Sequence, residues 1–87
     1  MASYELVFRK SVAKDLRSIP NEHVARILER IRALAEHPRP PGCEKLSGLE
    51  RYRIRQGVYR IVYEVLDHTL VVLVVKVAHR RDVYRRR

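Results

Sequence analysis

Two rhythms of apolar residues divide this chain near its middle. At the start, Tyr4-Glu5-Leu6-Val7-Phe8 alternates in part and predicts a short strand. The spacing then becomes helical. Val12, Leu16 and Ile19 predict a short helix over 11–18 with Ser11 as its N-cap, and Pro20-Asn21 punctuates. Val24, Ile27, Leu28, Ile31, Leu34 and Ala35 follow at i, i+3, i+4, i+7 along a longer helix. Glu22, Arg26, Glu29, Arg30, Arg32 and Glu36 make up its solvated side. Pro38 is expected to stop it, because the residue before a proline resists helical backbone.

After the extended loop Pro38-Arg39-Pro40-Pro41-Gly42 the period falls to two. Arg51, Arg53 and Arg55 alternate with Tyr52 and Ile54. A tight turn at Gln56-Gly57 leads into Tyr59–Val65, and another at Asp67-His68 leads into Leu70–Val75. That last run is nearly all apolar and β-branched, which predicts a central strand covered on both faces. The order β-α-α-β-β-β predicts one α+β domain spanning 1–87, an antiparallel sheet with a two-helix hairpin packed on one face.

Composition narrows the class of protein. Of the 87 residues 46% are apolar, enough for one small core and no more. The single cysteine, Cys43, rules out an intrachain disulfide and a multi-cysteine metal site, and fits a reducing compartment such as the cytoplasm. The N-terminal MASYELVFRK has no apolar run resembling a signal peptide, and Leu70–Val75 is too short to cross a bilayer. Charge adds the most. The net value is +9, fifteen of the nineteen basic residues are arginine, and the excess is concentrated after residue 50 (ten basic against three acidic). Guanidinium groups bind phosphate oxygens in bidentate fashion, so a nucleic acid is the favoured partner, with an acidic protein surface as the other reading.

A two-residue hairpin at Gln56-Gly57 pairs Arg55 with Val58 and sets Arg53 opposite Arg60 on the face away from the helices; a three-residue loop would turn Arg60 to the other face. Directly opposed like charges weaken a sheet unless an anion lies between them, so this pair makes sense as a phosphate clamp.

Several stretches then carry a resemblance. Lys45-Leu46-Ser47-Gly48, Tyr52-Arg53-Ile54-Arg55-Gln56-Gly57-Val58-Tyr59-Arg60-Ile61-Val62-Tyr63-Glu64 and His79-Arg80-Arg81-Asp82-Val83-Tyr84 resemble the RelE toxins of the RelE/ParE superfamily. Phe8-x-Lys10-Ser11-x-x-Lys14-Asp15-Leu16 is similar to the opening of that family. The resemblance implies a type II toxin that enters the ribosomal A site on the 30S subunit. There it cleaves messenger RNA with the 2′-hydroxyl as nucleophile, leaving a 2′,3′-cyclic phosphate and needing no metal or other cofactor. It implies a catalytic set of Arg53, Arg60, Arg80, Tyr84 and His79, with Arg51, Arg55, Lys45 and Arg81 touching RNA. It also implies an acidic RelB-like antitoxin, in a complex expected to be heterotetrameric.

The sequence departs from the family pattern at 53 and 55, where arginines replace lysines, and at 79, where histidine stands in place of lysine. Arginine is a poor general base, so proton transfer falls to Tyr84 or His79, with Glu50 and Glu64 as carboxylate alternatives. Plainer roles exist for each. Tyr84 would pack at the sheet edge, His79 would cap the last strand or pair with Asp82, and Arg85 to Arg87 would be a solvated tail. Two other functions use the same charge: a ParE-like gyrase poison without nuclease activity, and a passive RNA-binding module. The second lacks an aromatic pair placed to stack bases.

Overall fold

The computed structural model describes residues 3–46 and 50–81. The elements are β1 (Glu5–Phe8), α1 (Lys10–Arg17), α2 (Asn21–Ala33), β2 (Glu44–Leu46), β3 (Arg51–Gln56), β4 (Tyr59–Leu66) and β5 (Val71–His79). The strands form one sheet in the order β1-β5-β4-β3-β2. The α+β architecture with a helical hairpin on one face is as the sequence predicts.

Two features differ from it. β2 is an additional strand, invisible in the sequence because Glu44-Lys45-Leu46 is too short and too polar to alternate. The sheet is also mixed, since β1 pairs parallel with β5 while all other pairs are antiparallel. The two are connected. An extra strand adds an extra reversal, and that reversal turns β5 to run the same way as β1.

The helix ends also shift. Arg9, not Ser11, occupies the N-cap of α1, in extended backbone and without a side-chain cap; Ser11 lies inside the first turn. Asp15 of that helix has another use. β1 ends at Phe8, so the edge of β5 beyond Val74 has no strand beside it, and Asp15 Oδ2 accepts the N–H of Val77 at 3.1 Å there. The carboxylate thus satisfies a strand donor that would otherwise lack a partner. α2 ends at Ala33, before Pro38, and its last turn tightens to i→i−3 bonds at Leu34, Ala35 and Glu36.

The core lies between helices and sheet. Ile27, Ile31 and Leu34 are fully buried against Tyr52 and Ile54 of β3, Ile61, Tyr63 and Val65 of β4, and Val72, Val74 and Val77 of β5. The register shift between Val62 and Tyr63 leaves Val75 as the extra residue of β5. That bulge lets Val74 and Val77, three apart, both face the core. It is how an unbroken apolar run serves a strand whose second face is only half covered, with Val71 and Leu73 part-exposed.

Candidate nucleic-acid interface

The arginine face follows from strand parity. Tyr52 and Ile54 turn into the core, so Arg51, Arg53 and Arg55 emerge on the other side of β3. On β4 the core takes Ile61, Tyr63 and Val65, leaving Arg60, Val62 and Glu64 on the arginine side. The hairpin joining these strands has a two-residue loop, but it is Gly57-Val58 and not Gln56-Gly57. Gly57 takes φ 63°, a left-handed value that glycine adopts freely at the first position of such a loop. Both loops have two residues, so the faces are as predicted while the partners move by one pair. Arg55 stands opposite Arg60, and Arg53 stands opposite Val62.

The three arginines of β3 are in three different states. Arg51 lies opposite Glu64 and is held by its carboxylate through Nε at 3.1 Å and through Nη2. Arg53 is held by Glu44, directly opposite on β2; Glu44 Oε1 accepts from Nε at 3.0 Å and from Nη2 at 2.6 Å. Arg55 is exposed. Arg60 is unusual in another way. It is 6% exposed, the one buried charged residue among the described residues, and its Nη1 donates a long hydrogen bond, 3.4 Å, to the Tyr59 carbonyl. No carboxylate among the described residues forms an ion pair with it. A buried cation facing a second cation across the strand pair is costly, and its field is little weakened by water.

The other predicted site residues lie around this centre. The Arg80 N–H donates to the Val58 carbonyl at 2.7 Å, which fixes Arg80 at the hairpin end of the sheet where Arg55 and Arg60 lie. Arg81 is exposed beside it. Lys45 is at the far end, paired with Glu50 at 3.2 Å. His79 is not brought together with the arginines. It pairs with Tyr59, on the helix side of the sheet, with its ring 5.8 Å from the Tyr59 ring and edge-on to it; the His23 ring lies tilted, 5.5 Å from that of Tyr59. Tyr84 and Arg85 to Arg87 lie outside the described residues.

Both carboxylates considered as bases are occupied. Glu64 holds Arg51, and Glu50 is bound by Lys45, Tyr52 and Arg39. The carboxylate that does stand among the site arginines is Glu44, which the sequence reading passed over. Its pKa is lowered, first by the hydrogen bonds and charge of Arg53 and further by the charges of Arg55 and Arg60. A signal existed in Glu44-Lys45-Leu46, an acid two residues before a motif leucine, but it means something only once β2 is known to pair with β3.

A second polar cluster, also unforeseen, ties the loops at the opposite end. Arg39 stacks over the Tyr52 ring at 5.2 Å, donates to the Tyr52 hydroxyl at 2.9 Å and pairs with Asp67 at 2.8 Å. The Tyr4 hydroxyl donates to Asp67 at 2.7 Å. Beneath it the buried Tyr63 hydroxyl donates to the Pro38 carbonyl at 2.7 Å, its pKa raised mainly by burial. These bonds pin the proline loop to the sheet. Among the described residues no three His, Cys, Asp or Glu side chains gather as metal ligands.

The chain is similar to known toxins of type II toxin–antitoxin systems. The family model for the ParE toxin of the type II toxin-antitoxin system parDE matches residues 6–84. Toxin RelG of Mycobacterium tuberculosis is 30% identical over 87 residues, covering 95% of this chain and 98% of that protein. A chain of the archaeal RelE–RelB complex from Pyrococcus horikoshii superimposes with a TM-score of 0.78 at 31% identity, over 90% of this chain and 96% of its own length. The isolated RelE toxin of E. coli superimposes with a TM-score of 0.77 at 29% identity, over 88% and 84%.

Proposed function

This chain belongs to the RelE/ParE superfamily of type II toxin–antitoxin toxins, and from that premise we propose that it is a metal-independent endoribonuclease cutting messenger RNA in the ribosomal A site. The observation that carries the reading is the Arg55–Arg60 pair, two directly opposed cations of which one is buried and without a carboxylate. A fold keeps such a pair when an anion completes it.

In the proposed reaction the RNA 2′-oxygen attacks the adjacent phosphorus, the P–O5′ bond breaks, and a 2′,3′-cyclic phosphate remains. Charge builds on the non-bridging oxygens as the five-coordinate state forms. Arg60 supplies a fixed donor set there in a dry setting, where electrostatic stabilisation is strongest and no reorganisation is needed. Arg53, Arg55 and Arg80 align the strand through its phosphates. The proton of the 2′-hydroxyl and the proton for the leaving 5′-oxygen are assigned to Tyr84 and His79. With His79 on the Tyr59 side of the sheet, Tyr84 takes the larger share. The partner is a RelB-like antitoxin, as RelB accompanies RelE in the archaeal complex, and a net charge of +9 calls for an acidic one. A ribosomal target makes the cytoplasm the working compartment.

The test is primer extension on a translated message with purified toxin, alongside DNA gyrase in a cleavage-trapping assay. Cuts within codons, lost in an Arg60→Met variant, are the expected result. Trapped gyrase–DNA breaks with an intact message would replace this reading with that of a gyrase poison.

A further inference from the structure

The phosphate-facing surface already contains an anion. Glu44 Oε1 receives two N–H groups of Arg53, from Nε and Nη2, which is the fork a phosphate oxygen would use. The Arg53 side chain is 19% exposed and the Glu44 side chain 57%, so the cation is fixed in place while the carboxylate remains open to solvent. Beside the pair lies a cavity of about 350 Å³ lined by Arg30, Gly42, Glu44, Arg53, Ile54 and Arg55. It exists because β2 begins only at Glu44, leaving the edge of β3 uncovered beyond Arg53. Three arginines and one carboxylate thus border a space wide enough for a sugar-phosphate unit.

We propose that Glu44 is an internal anion occupying the phosphate position on Arg53, and that an RNA phosphate must displace it to engage the arginine face. This rests on the reading of that face as an RNA surface. An exposed ion pair contributes little to stability and breaks easily, so the displacement is feasible. It is not free either: an arriving phosphate meets a negative charge at the point where it needs a positive one. The consequence is selectivity. Free single-stranded RNA, with few other contacts, competes poorly with Glu44, whereas RNA presented with additional contacts displaces it. Lowering of the Glu44 pKa by Arg53, Arg55 and Arg60 agrees with a carboxylate that stays ionised throughout the neutral range. Arg51 carries a carboxylate too, but Glu64 is only 22% exposed and that pair is the more enclosed one.

The experiment measures binding of a fully 2′-O-methylated oligoribonucleotide, which cannot be cleaved, so the result does not depend on catalysis. Glu44→Gln keeps the shape and removes the charge. Glu36→Gln, at an exposed position after α2, makes the same change of net charge at a distance. We expect Glu44→Gln to bind roughly 3- to 10-fold more tightly at low salt, with a salt slope steeper by about 0.7, the value of one further phosphate contact on a single strand. Glu36→Gln should shift binding less than about twofold. In an Arg53→Gln background the gain from Glu44→Gln should vanish. Equal affinity of Glu44→Gln and Glu36→Gln, weaker binding of Glu44→Gln, or a gain that survives without Arg53 would each overturn the proposal while leaving the RNA reading intact. Failure of every form, wild type included, to bind the oligonucleotide would overturn both.

Discussion

In the proposed reaction Arg60 concentrates the conflict between stability and function in one side chain. Its stem and head are buried beside Val62 on the arginine face, opposite Arg55, without a carboxylate among the described residues. Replacing a buried charge by an apolar side chain of similar length is commonly neutral or favourable to the fold. Losing one fixed transition-state contact typically lowers the rate by about 10²–10³. Arg60→Met is therefore expected to cut single-turnover RNA cleavage by that factor while the urea midpoint stays level or rises, by about 1–2 kcal/mol of stability at most. A variant that keeps its activity, or that unfolds at lower urea, would show that the guanidinium serves the fold instead. The proton-transfer groups separate in the same way. Because the His79 ring packs edge-on against Tyr59, Tyr84→Phe should slow cleavage more than His79→Ala. The opposite order in single-turnover rates would move the base to His79.

The β3–β4 hairpin decides which arginines meet, and Gly57 decides the hairpin. Its φ of 63° is easy for glycine and strained for any residue with a Cβ, although no atom beyond its adjoining residues lies within 4 Å of where that Cβ would go. Gly57→Ala should thus cost about 1–2 kcal/mol of stability through backbone strain alone, read as a lower urea midpoint with an unchanged m-value. A loss well below that range would mean the loop relaxes to another turn. The same turn illustrates what the sequence could reveal. Alternation of arginine with Tyr52 and Ile54 placed the cations on one face, because side-chain period is a local property. The one-residue position of the loop depends on which slot glycine's left-handed backbone fills, and x-Gly and Gly-x loops look alike in sequence. The helices were legible because Ile27, Ile31 and Leu34 repeat at helical spacing on one buried stripe. β2 was not, since three polar-leaning residues carry no period, and the parallel pairing of β1 with β5 was hidden with it. Glu44 was missed for that reason, and so was Arg39, whose partners Tyr52 and Asp67 are distant in sequence.

Across the whole molecule a scarce set of carboxylates is spent on holding arginines and lysine, and this fixes how the protein responds to pH and to partners. The pKa of Asp67 is lowered by the hydrogen bond from Arg39 and then by that from Tyr4, that of Glu50 first by Lys45, and that of Glu44 first by Arg53. A carboxylate whose folded pKa is depressed adds stability above its unfolded value, near 4, and loses it as pH falls through the folded value. The urea midpoint should then be flat from pH 7 to about 5 and drop below about 4, with a shallower drop in Asp67→Asn; an equal drop in both would deny the Arg39–Asp67 link its part. The remaining basic charge governs association. Ile27 and Ile31 of α2 and the following Leu34 are fully committed to the core, so on the proposed reading an antitoxin would use the arginine face, the sheet edges and the outer helix surfaces. With a net charge of +9 weighted beyond residue 50, an acidic segment is drawn in over a distance of about 10 Å at moderate salt and more at low salt. Its association rate should fall by at least about tenfold between low salt and roughly 0.5 M, with a smaller change in the dissociation rate. Stopped-flow mixing of the purified toxin with the product of the neighbouring gene measures both rates, and a cleavage assay on the mixture measures the outcome. On the proposed function, covering Arg53, Arg55 and Arg60 would block RNA without any covalent change, so the complex should be silent toward ribosome-bound message. An association rate indifferent to ionic strength, or a stable complex that still cleaves, would separate the basic face from both antitoxin capture and RNA cleavage.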